Sequence, residues 1–148
     1  MAKTYGDRWE IVKSLRGGGQ AETFLVIDKA NAPSEQHFVL KRVRNPERHG
    51  RFRIEVDALR SLDHPHVVKL LDADVQGEKP YLVMEYCAGG SMDDHPDRWK
   101  HDPVGALKLF AEVCDGVAAA HAVGVTHRDI KPANILLRGS DGPAVVGD

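Results

Sequence analysis

The sequence predicts an α+β protein in which an antiparallel sheet precedes a mainly helical region. The first half contains short runs rich in Val, Ile, Leu, Phe and Tyr, and turn residues separate them. One helical pattern interrupts these runs, and a longer one follows the small-residue segment 87–91. With 148 residues, of which 42% are hydrophobic and 28% charged, the chain has the composition of a folded domain.

Five strands are predicted in the first half, because each run is rich in apolar or β-branched residues and is bounded by turn signals. They lie at 9–15, 23–27, 37–43, 67–71 and 81–86. The first three are joined by a glycine turn at 17–19 and a second turn at 31–34, so we expect them to pair antiparallel.

Two helices are predicted from apolar residues at helical spacing. The first begins near Pro46 and ends before His64, and its repeating residues are Phe52, Glu55, Val56, Leu59 and Leu62. The second ends near Gly124, and its apolar stripe consists of Leu107, Phe110, Ala111, Cys114, Val117, Ala118 and His121. No internal repeat or low-complexity tract is present.

Two charged residues fall on apolar faces of these elements. Lys41 alternates with Val39 and Val43 along its strand, and Glu55 lies within the helical pattern between Phe52 and Leu59. An unpaired buried charge costs about 3 to 5 kcal/mol, which favours an ion pair between Lys41 and Glu55. The alternative is that Lys41 reaches solvent and Glu55 lies at a partly exposed helix edge. Periodicity alone does not separate these interpretations.

The segment 127–137, His-Arg-Asp-Ile-Lys-Pro-Ala-Asn-Ile-Leu-Leu, combines three functional groups at short spacing before an apolar strand. Asp129 offers a carboxylate to orient a hydroxyl, Lys131 an ammonium for a phosphoryl oxygen, and Asn134 an amide oxygen for a metal ion. These groups are the ones that phosphoryl transfer requires. The alternative for such a polar segment is a solvated turn.

This segment resembles the catalytic loop of eukaryotic-type protein kinases, and Lys131 two residues after Asp129 is similar to the serine/threonine branch. The strand Phe38-Val39-Leu40-Lys41 resembles the family's Val-Ala-Ile-Lys strand, and Glu55 matches the glutamate that pairs with its lysine. Asp148, after Ala144-Val145-Val146-Gly147, resembles the aspartate of the Asp-Phe-Gly motif. The segment 82–91 looks like the family's hinge.

The resemblance implies a protein-kinase-like fold with a five-stranded antiparallel small lobe and one helix at 1–86, a hinge at 87–90, and an incomplete, mainly helical large lobe at 91–148. It implies ATP and Mg²⁺ as cofactors, Asp129 and Lys131 as catalytic residues, and Asn134 and Asp148 as metal ligands. The residues that it implies for nucleotide binding are Leu15, Gly17, Gly18, Gly19, Thr23, Val39, Lys41, Glu55, Met84, Glu85, Cys87 and Leu136.

The resemblance implies a serine/threonine kinase that transfers the γ-phosphoryl group of ATP to a protein hydroxyl. The glycine-rich segment departs from the family pattern, since Arg16, Ala21 and Thr23 occupy positions where Gly, Gly and Val are usual. This departure leaves open a pseudokinase or ATP-binding scaffold. A small-molecule kinase of the same fold is a further alternative, against which the Lys131-Pro132 pair argues.

Composition excludes several other classes of protein. The formal net charge of −2 and the interspersed basic residues do not indicate nucleic-acid binding. Cys87 and Cys114 lack metal-ligand spacing, which favours a reducing, cytoplasmic setting. No apolar stretch reaches the roughly 18 residues of a membrane span.

We expect the chain to be part of a longer kinase and to be inactive alone, and a membrane segment further along that kinase remains open. The helical stripe 107–121 should then expose an apolar patch.

Overall fold

The computed structural model describes residues 3–18, 21–31, 35–126, 130–139 and 144–146. The chain divides into two compact units. The first, called the sheet unit below, comprises Met1–Asp57 and Leu70–Tyr86, and the second, called the helical unit, comprises Ala58–Lys69 and Cys87–Asp148. No helix in these described ranges is both long and apolar enough to cross a membrane.

The sheet unit contains a six-stranded antiparallel sheet with the order β1-β2-β3-β4-β6-β5. Its strands are β1 (Thr4–Tyr5), β2 (Trp9–Gly18), β3 (Ala21–Asp28), β4 (His37–Val43), β5 (Leu70–Asp74) and β6 (Tyr81–Glu85). The predicted α+β fold with an antiparallel sheet and one helix is confirmed. The structure adds the short strand β1, whose two residues are too few to show a period.

Both faces of the sheet are covered by apolar side chains, because successive residues of a strand point to opposite faces. The cluster on one face is centred on four side chains that are at most 1% exposed, which are Trp9, Val26, Leu40 and Val83. On the other face the helix α1 (His49–Arg60) packs against the strands. Its buried residues are Phe52 and Val56, which contact a cluster that includes Val43 and Leu82.

The helical unit is built on the helix α2 (Pro103–Ala122) and a two-stranded sheet of β7 (Ile135–Leu137) and β8 (Ala144–Val146). Asp102 caps the start of α2, since its Oδ1 accepts a hydrogen bond from the Gly105 amide at 2.9 Å. As predicted, the helix ends before Gly124. The φ of this glycine is +81°, which is in the left-handed region. Leu109 and Val113 of α2 pack on Ile135 and Leu137 of β7.

Two predictions of detail require correction. The strand predicted at 67–71 begins three residues later, at Leu70. Val67 and Val68 are buried and belong to the segment Ala58–Lys69 of the helical unit. The second correction concerns α2, whose buried face contains Leu109, Val113 and Gly116, none of which belongs to the predicted apolar stripe.

The predicted stripe of α2 is mostly exposed: Leu107 is 69% and Phe110 63% exposed. The expectation that this stripe forms an exposed apolar patch is therefore confirmed.

Candidate active site

Strand register places four of the predicted nucleotide-binding side chains on one face of the sheet. Thr23 of β3 lies opposite Lys41 of β4, and Met84 of β6 lies opposite Val39 of β4. Val39 and Lys41 are two residues apart on the same strand, so all four side chains point to the same face. Each is half-buried. We call Thr23, Val39, Lys41 and Met84 the β4 face.

The glycine-rich segment forms regular strand pairs on either side of the turn. Gly17 lies opposite Glu22 and Gly18 opposite Ala21, so the ladder between β2 and β3 extends to the end of both strands. Leu15 is half-buried and falls at a register shift between Ser14 and Arg16, where β2 contains one residue more than β3. Gly19 lies outside the described residues.

Glu55 does not take the inward position that we predicted. Its side chain is 56% exposed and pairs with Arg51, with 3.4 Å between Glu55 Oε1 and Arg51 Nε. The side chains of Phe52 and Val56 define the buried face of α1. With about 100° of rotation per residue, Glu55 points about 80° away from the direction midway between these two side chains. The structure therefore pairs Glu55 with Arg51 on the helix surface instead of with Lys41.

In the helical unit, the end of the predicted hinge and the residue after it are bonded to β7. The Gly89 amide donates to the Leu137 carbonyl oxygen at 2.9 Å, and the Leu137 amide donates to the Gly90 carbonyl oxygen at 2.8 Å. Ser91 forms a further bridge with Leu136. Cys87 is 6% exposed, and its carbonyl oxygen accepts a hydrogen bond from the Gly90 amide at 3.2 Å. Backbone pairing thus joins residues 89–91 to the strand that follows the predicted catalytic loop.

Two side chains that the sequence analysis did not single out reinforce this bend. Asp94 Oδ2 accepts hydrogen bonds from the backbone amide and hydroxyl of Ser91, at 2.8 Å and 3.2 Å. His95 Nε2 lies 2.8 Å from the Gly89 carbonyl oxygen, which only accepts, so this nitrogen is the donor. The spacing Ser-x-x-Asp is a capping pattern in the sequence and was sufficient to predict the first contact.

The end of the predicted catalytic loop is fixed by β7. Ile135 and Leu137 are buried, whereas Leu136 between them is half-buried. Asn134 is half-buried at the end of the short 3-10 turn Pro132–Asn134. Its backbone amide donates a hydrogen bond to the Lys131 carbonyl oxygen at 2.9 Å. Lys131 has an exposed side chain. Asp129 and Asp148 lie outside the described residues.

The pKa of Asp28, the last residue of β3 in the sheet unit, is strongly lowered. Arg8 holds the pKa of this buried carboxyl at about 2, through hydrogen bonds of 2.9 Å and 2.8 Å to its two oxygens. The side chain of Asn31 and the backbone amide of Ala30 donate to the same carboxylate. Asp28 pairs in register with Trp9 at the opposite end of β3 from Thr23, which indicates a structural role.

Comparison with known proteins shows which family the chain resembles. Residues 9–148 match the family model described as "Protein kinase domain". The chain is 38% identical to serine/threonine-protein kinase PkaB of Streptomyces coelicolor, 31% to serine/threonine-protein kinase PrkC of Bacillus subtilis, and 32% to serine/threonine-protein kinase PknB of Mycobacterium leprae.

These alignments cover 97%, 93% and 95% of the chain, but only 35%, 22% and 24% of the respective relatives. The chain thus spans about a third or less of the length of these curated relatives. The family match extends over almost every element described above, from β2 to the end of the chain. The chain therefore belongs to the protein kinase family.

Proposed function

We propose that this chain provides the ATP-binding small lobe and the catalytic loop of a serine/threonine protein kinase, which transfers the γ-phosphoryl group of ATP to a hydroxyl group of a protein substrate. The observation that supports this most is the β4 face, where register places Lys41 beside Thr23 and Val39 beside Met84. The printed names of the bacterial relatives support the serine/threonine class.

In this proposal the β4 face binds the nucleotide. The half-buried side chains of Val39 and Met84 offer apolar surface to a flat ring, while the Lys41 ammonium binds phosphate oxygens. Leu15 adds an apolar contact. The motif resemblance assigns a further apolar contact to Leu136, and it assigns hydrogen bonds with the edge of the adenine to the backbone groups of Glu85 and Cys87. The glycines at 17–19 leave room for phosphates near the backbone.

The catalytic groups come from the loop before β7. Asp129 accepts the proton of the substrate hydroxyl, and Lys131 contacts the transferred phosphoryl group. Asn134 and Asp148 offer amide and carboxylate oxygens, which suit a hard cation such as Mg²⁺. When bound, Mg²⁺ neutralises charge on the phosphate oxygens. The hydrogen bonds between residues 89–91 and β7 hold the end of the hinge segment beside the strand that directly follows Asn134.

Nucleotide binding by the purified chain tests the first part of the proposal. We expect Mg²⁺-dependent binding of ATP in calorimetry, and a loss of affinity of about tenfold or more for Lys41→Met, since a charge-assisted phosphate contact is removed. Lys13→Met is the matched control, because Lys13 is an exposed lysine of the same sheet. Equal binding by both variants would place the nucleotide elsewhere.

Phosphoryl transfer tests the second part. The longer protein that we expect to contain this chain should phosphorylate a generic protein acceptor, and Asp129→Asn should abolish the transfer, whereas the exposed control Asp93→Asn should not. The 148-residue chain alone should show no transfer. Transfer by the chain alone that is lost in Asp129→Asn would refute the expectation of inactivity.

A pseudokinase is the second candidate, and Arg16, Ala21 and Thr23 are the residues that favour it. Arg16 and Ala21 occupy positions where the family usually has glycines, and Thr23 occupies a position where it usually has a valine. If the longer protein binds ATP but transfers no phosphate to any acceptor, this second function replaces the first.

A further inference from the structure

The β4 face contains one hydroxyl group, which belongs to Thr23. Thr23 is half-buried, and its hydroxyl forms no hydrogen bond with any residue in the part of the chain that the structure describes. A partly buried hydroxyl without a protein partner is satisfied by water or by a ligand. The position of Thr23 on the face indicates which part of a ligand it meets.

The four residues of the β4 face form two rows that run across the sheet. Val39 pairs with Met84 in one row, and Lys41 pairs with Thr23 in the other. The pair next to the Val39 row, on the side away from Lys41, contains Glu85. Because a strand rises about 3.3 Å per residue, the row of Thr23 is about 7 Å farther from Glu85 than the row of Val39.

This separation assigns the two rows to different parts of ATP. In the proposed function the edge of the adenine bonds the backbone at Glu85, and the apolar side chains of Val39 and Met84 contact the ring. A nucleotide in this orientation extends past Val39 before it reaches Lys41. The row of Thr23 and Lys41 is therefore beside the phosphates or the sugar, and not beside the base.

The neighbouring ammonium selects the phosphates. Directly opposed residues of an antiparallel pair have Cβ atoms about 5 Å apart, so Thr23 and Lys41 are close enough to contact the same group. The ammonium of Lys41 has only protons to donate, and a hydroxyl has one. Phosphate oxygens accept several hydrogen bonds, and their charge strengthens each of them. The β-branched side chain of Thr23 also loses little rotamer freedom on binding.

We propose that the Thr23 hydroxyl donates a hydrogen bond to the phosphate group of ATP that Lys41 binds. This inference rests on the proposed function and deepens it, because it makes Thr23 a residue that favours nucleotides over nucleosides. It also gives a binding role to one departure from the family pattern, since the valine that is usual at this position has no proton to donate.

Removal of the hydroxyl alone tests the proposal. Thr23→Val keeps the branched shape of the side chain and deletes only the donor. In calorimetry with the purified chain, this variant should raise the Kd for ATP with Mg²⁺ by about tenfold, because a hydrogen bond to a charged group is lost. The Kd for adenosine, which has no phosphate, should not change. Unchanged adenosine binding also verifies that the site of the variant is folded.

Two further variants separate the hydroxyl from the rest of the side chain. Thr23→Ser retains the donor, so its Kd for ATP should stay within about threefold of the wild-type value. Thr4→Val is the matched control, because Thr4 is a half-buried threonine of β1 that lies outside the β4 face. This control should bind both ligands as the wild-type chain does.

Three results would overturn the proposal. An unchanged or lower Kd for ATP in Thr23→Val means that the hydroxyl does not bind a phosphate. An equal loss for ATP and adenosine places the contact on the sugar or the base. Failure of Thr23→Ser to retain affinity means that the methyl group, not the hydroxyl, is responsible.

Lys41→Met in the same experiment distinguishes this inference from the proposed function. If Lys41→Met weakens ATP binding and Thr23→Val does not, only the role of Thr23 is wrong. If neither variant weakens binding, or if the wild-type chain binds no ATP, the β4 face is not the nucleotide site and both proposals fail.

Discussion

The sheet unit and the helical unit fix their functional side chains in different ways. In the sheet unit, register alone sets Lys41 beside Thr23 and Val39 beside Met84, and both faces of the sheet are covered by apolar clusters. In the helical unit, backbone hydrogen bonds between residues 89–91 and β7 hold the loop end that contains Asn134. There the helix α2 buries one side and exposes another.

Because of this difference, we expect the sheet unit and the helical unit to be sensitive to different kinds of substitution. A side chain positioned by register moves only if a whole strand slips, because a slip of one residue turns every side chain to the other face. A loop end positioned by three or four local hydrogen bonds is sensitive to a single backbone clash. We therefore expect core substitutions to damage the sheet unit, and backbone substitutions to damage the helical unit.

The largest effect is expected for Leu40→Ala in the sheet. Leu40 is fully buried, so its truncation should lower the free energy of unfolding by about 3 kcal/mol through lost burial and the resulting cavity. Ile54→Ala on α1 is the matched control, because Ile54 is 72% exposed and should change stability by less than about 0.5 kcal/mol. Urea denaturation measures both, and similar losses would contradict the assigned core.

The next effect is expected for Gly89→Ala in the helical unit. A Cβ at this position would lie 2.6 Å from the Leu137 carbonyl oxygen, so the pairing with β7 must open, at a cost of about 2 kcal/mol. Gly50→Ala on α1 is the matched control: its Cβ meets nothing within 4 Å and should stabilise the helix by up to about 1 kcal/mol. Hydrogen exchange of the Leu137 amide reports the opening directly, and unchanged protection in Gly89→Ala would contradict it.

A smaller effect is expected at Asp28. Its pKa is about 2 in the folded chain against an ordinary value of 3.8, so its stabilisation is complete above about pH 4 and is lost as the pH falls towards 2. The shift corresponds to about 2 kcal/mol. We expect about 1.5 kcal/mol because Arg8 is 43% exposed and screened by water.

Asp28→Asn should therefore lose about this amount at neutral pH, and the difference from wild type should vanish near pH 2. Denaturation curves across this pH range measure the difference. A difference that persists at the lowest pH would mean that Asp28 does not act through its charge.

The smallest effect is expected for Glu55→Gln. Because Glu55 is exposed and pairs with Arg51 one helical turn away, its neutralisation should cost less than about 0.5 kcal/mol. A buried pair with Lys41 would instead cost about 3 to 5 kcal/mol. Chemical denaturation separates the two values, and Arg51→Gln should match the small loss if the surface pair is correct.

Much of the fold follows from the sequence because strands and helices have distinct periods. The strands around Val39 and Val83, the helix that contains Phe52, and the stop at Gly124 were all predicted from spacing and turn residues. The candidate nucleotide contacts of the β4 face were predicted from motifs, and register then grouped them. The contact between His95 and the Gly89 carbonyl oxygen needed the backbone bend, which no local period reveals.

The sequence by itself determined which residues share a face, because the period of a helix or strand is a local property. Only the tertiary structure decided which face is covered, since that depends on which neighbour reaches it. Thus Glu55 lies on the surface, Val67 and Val68 are buried before the start of β5, and α2 turns Leu109 inwards and leaves Leu107 exposed. The free energy of burial depends on contacts between different elements, so it cannot be predicted from the spacing of residues along one element.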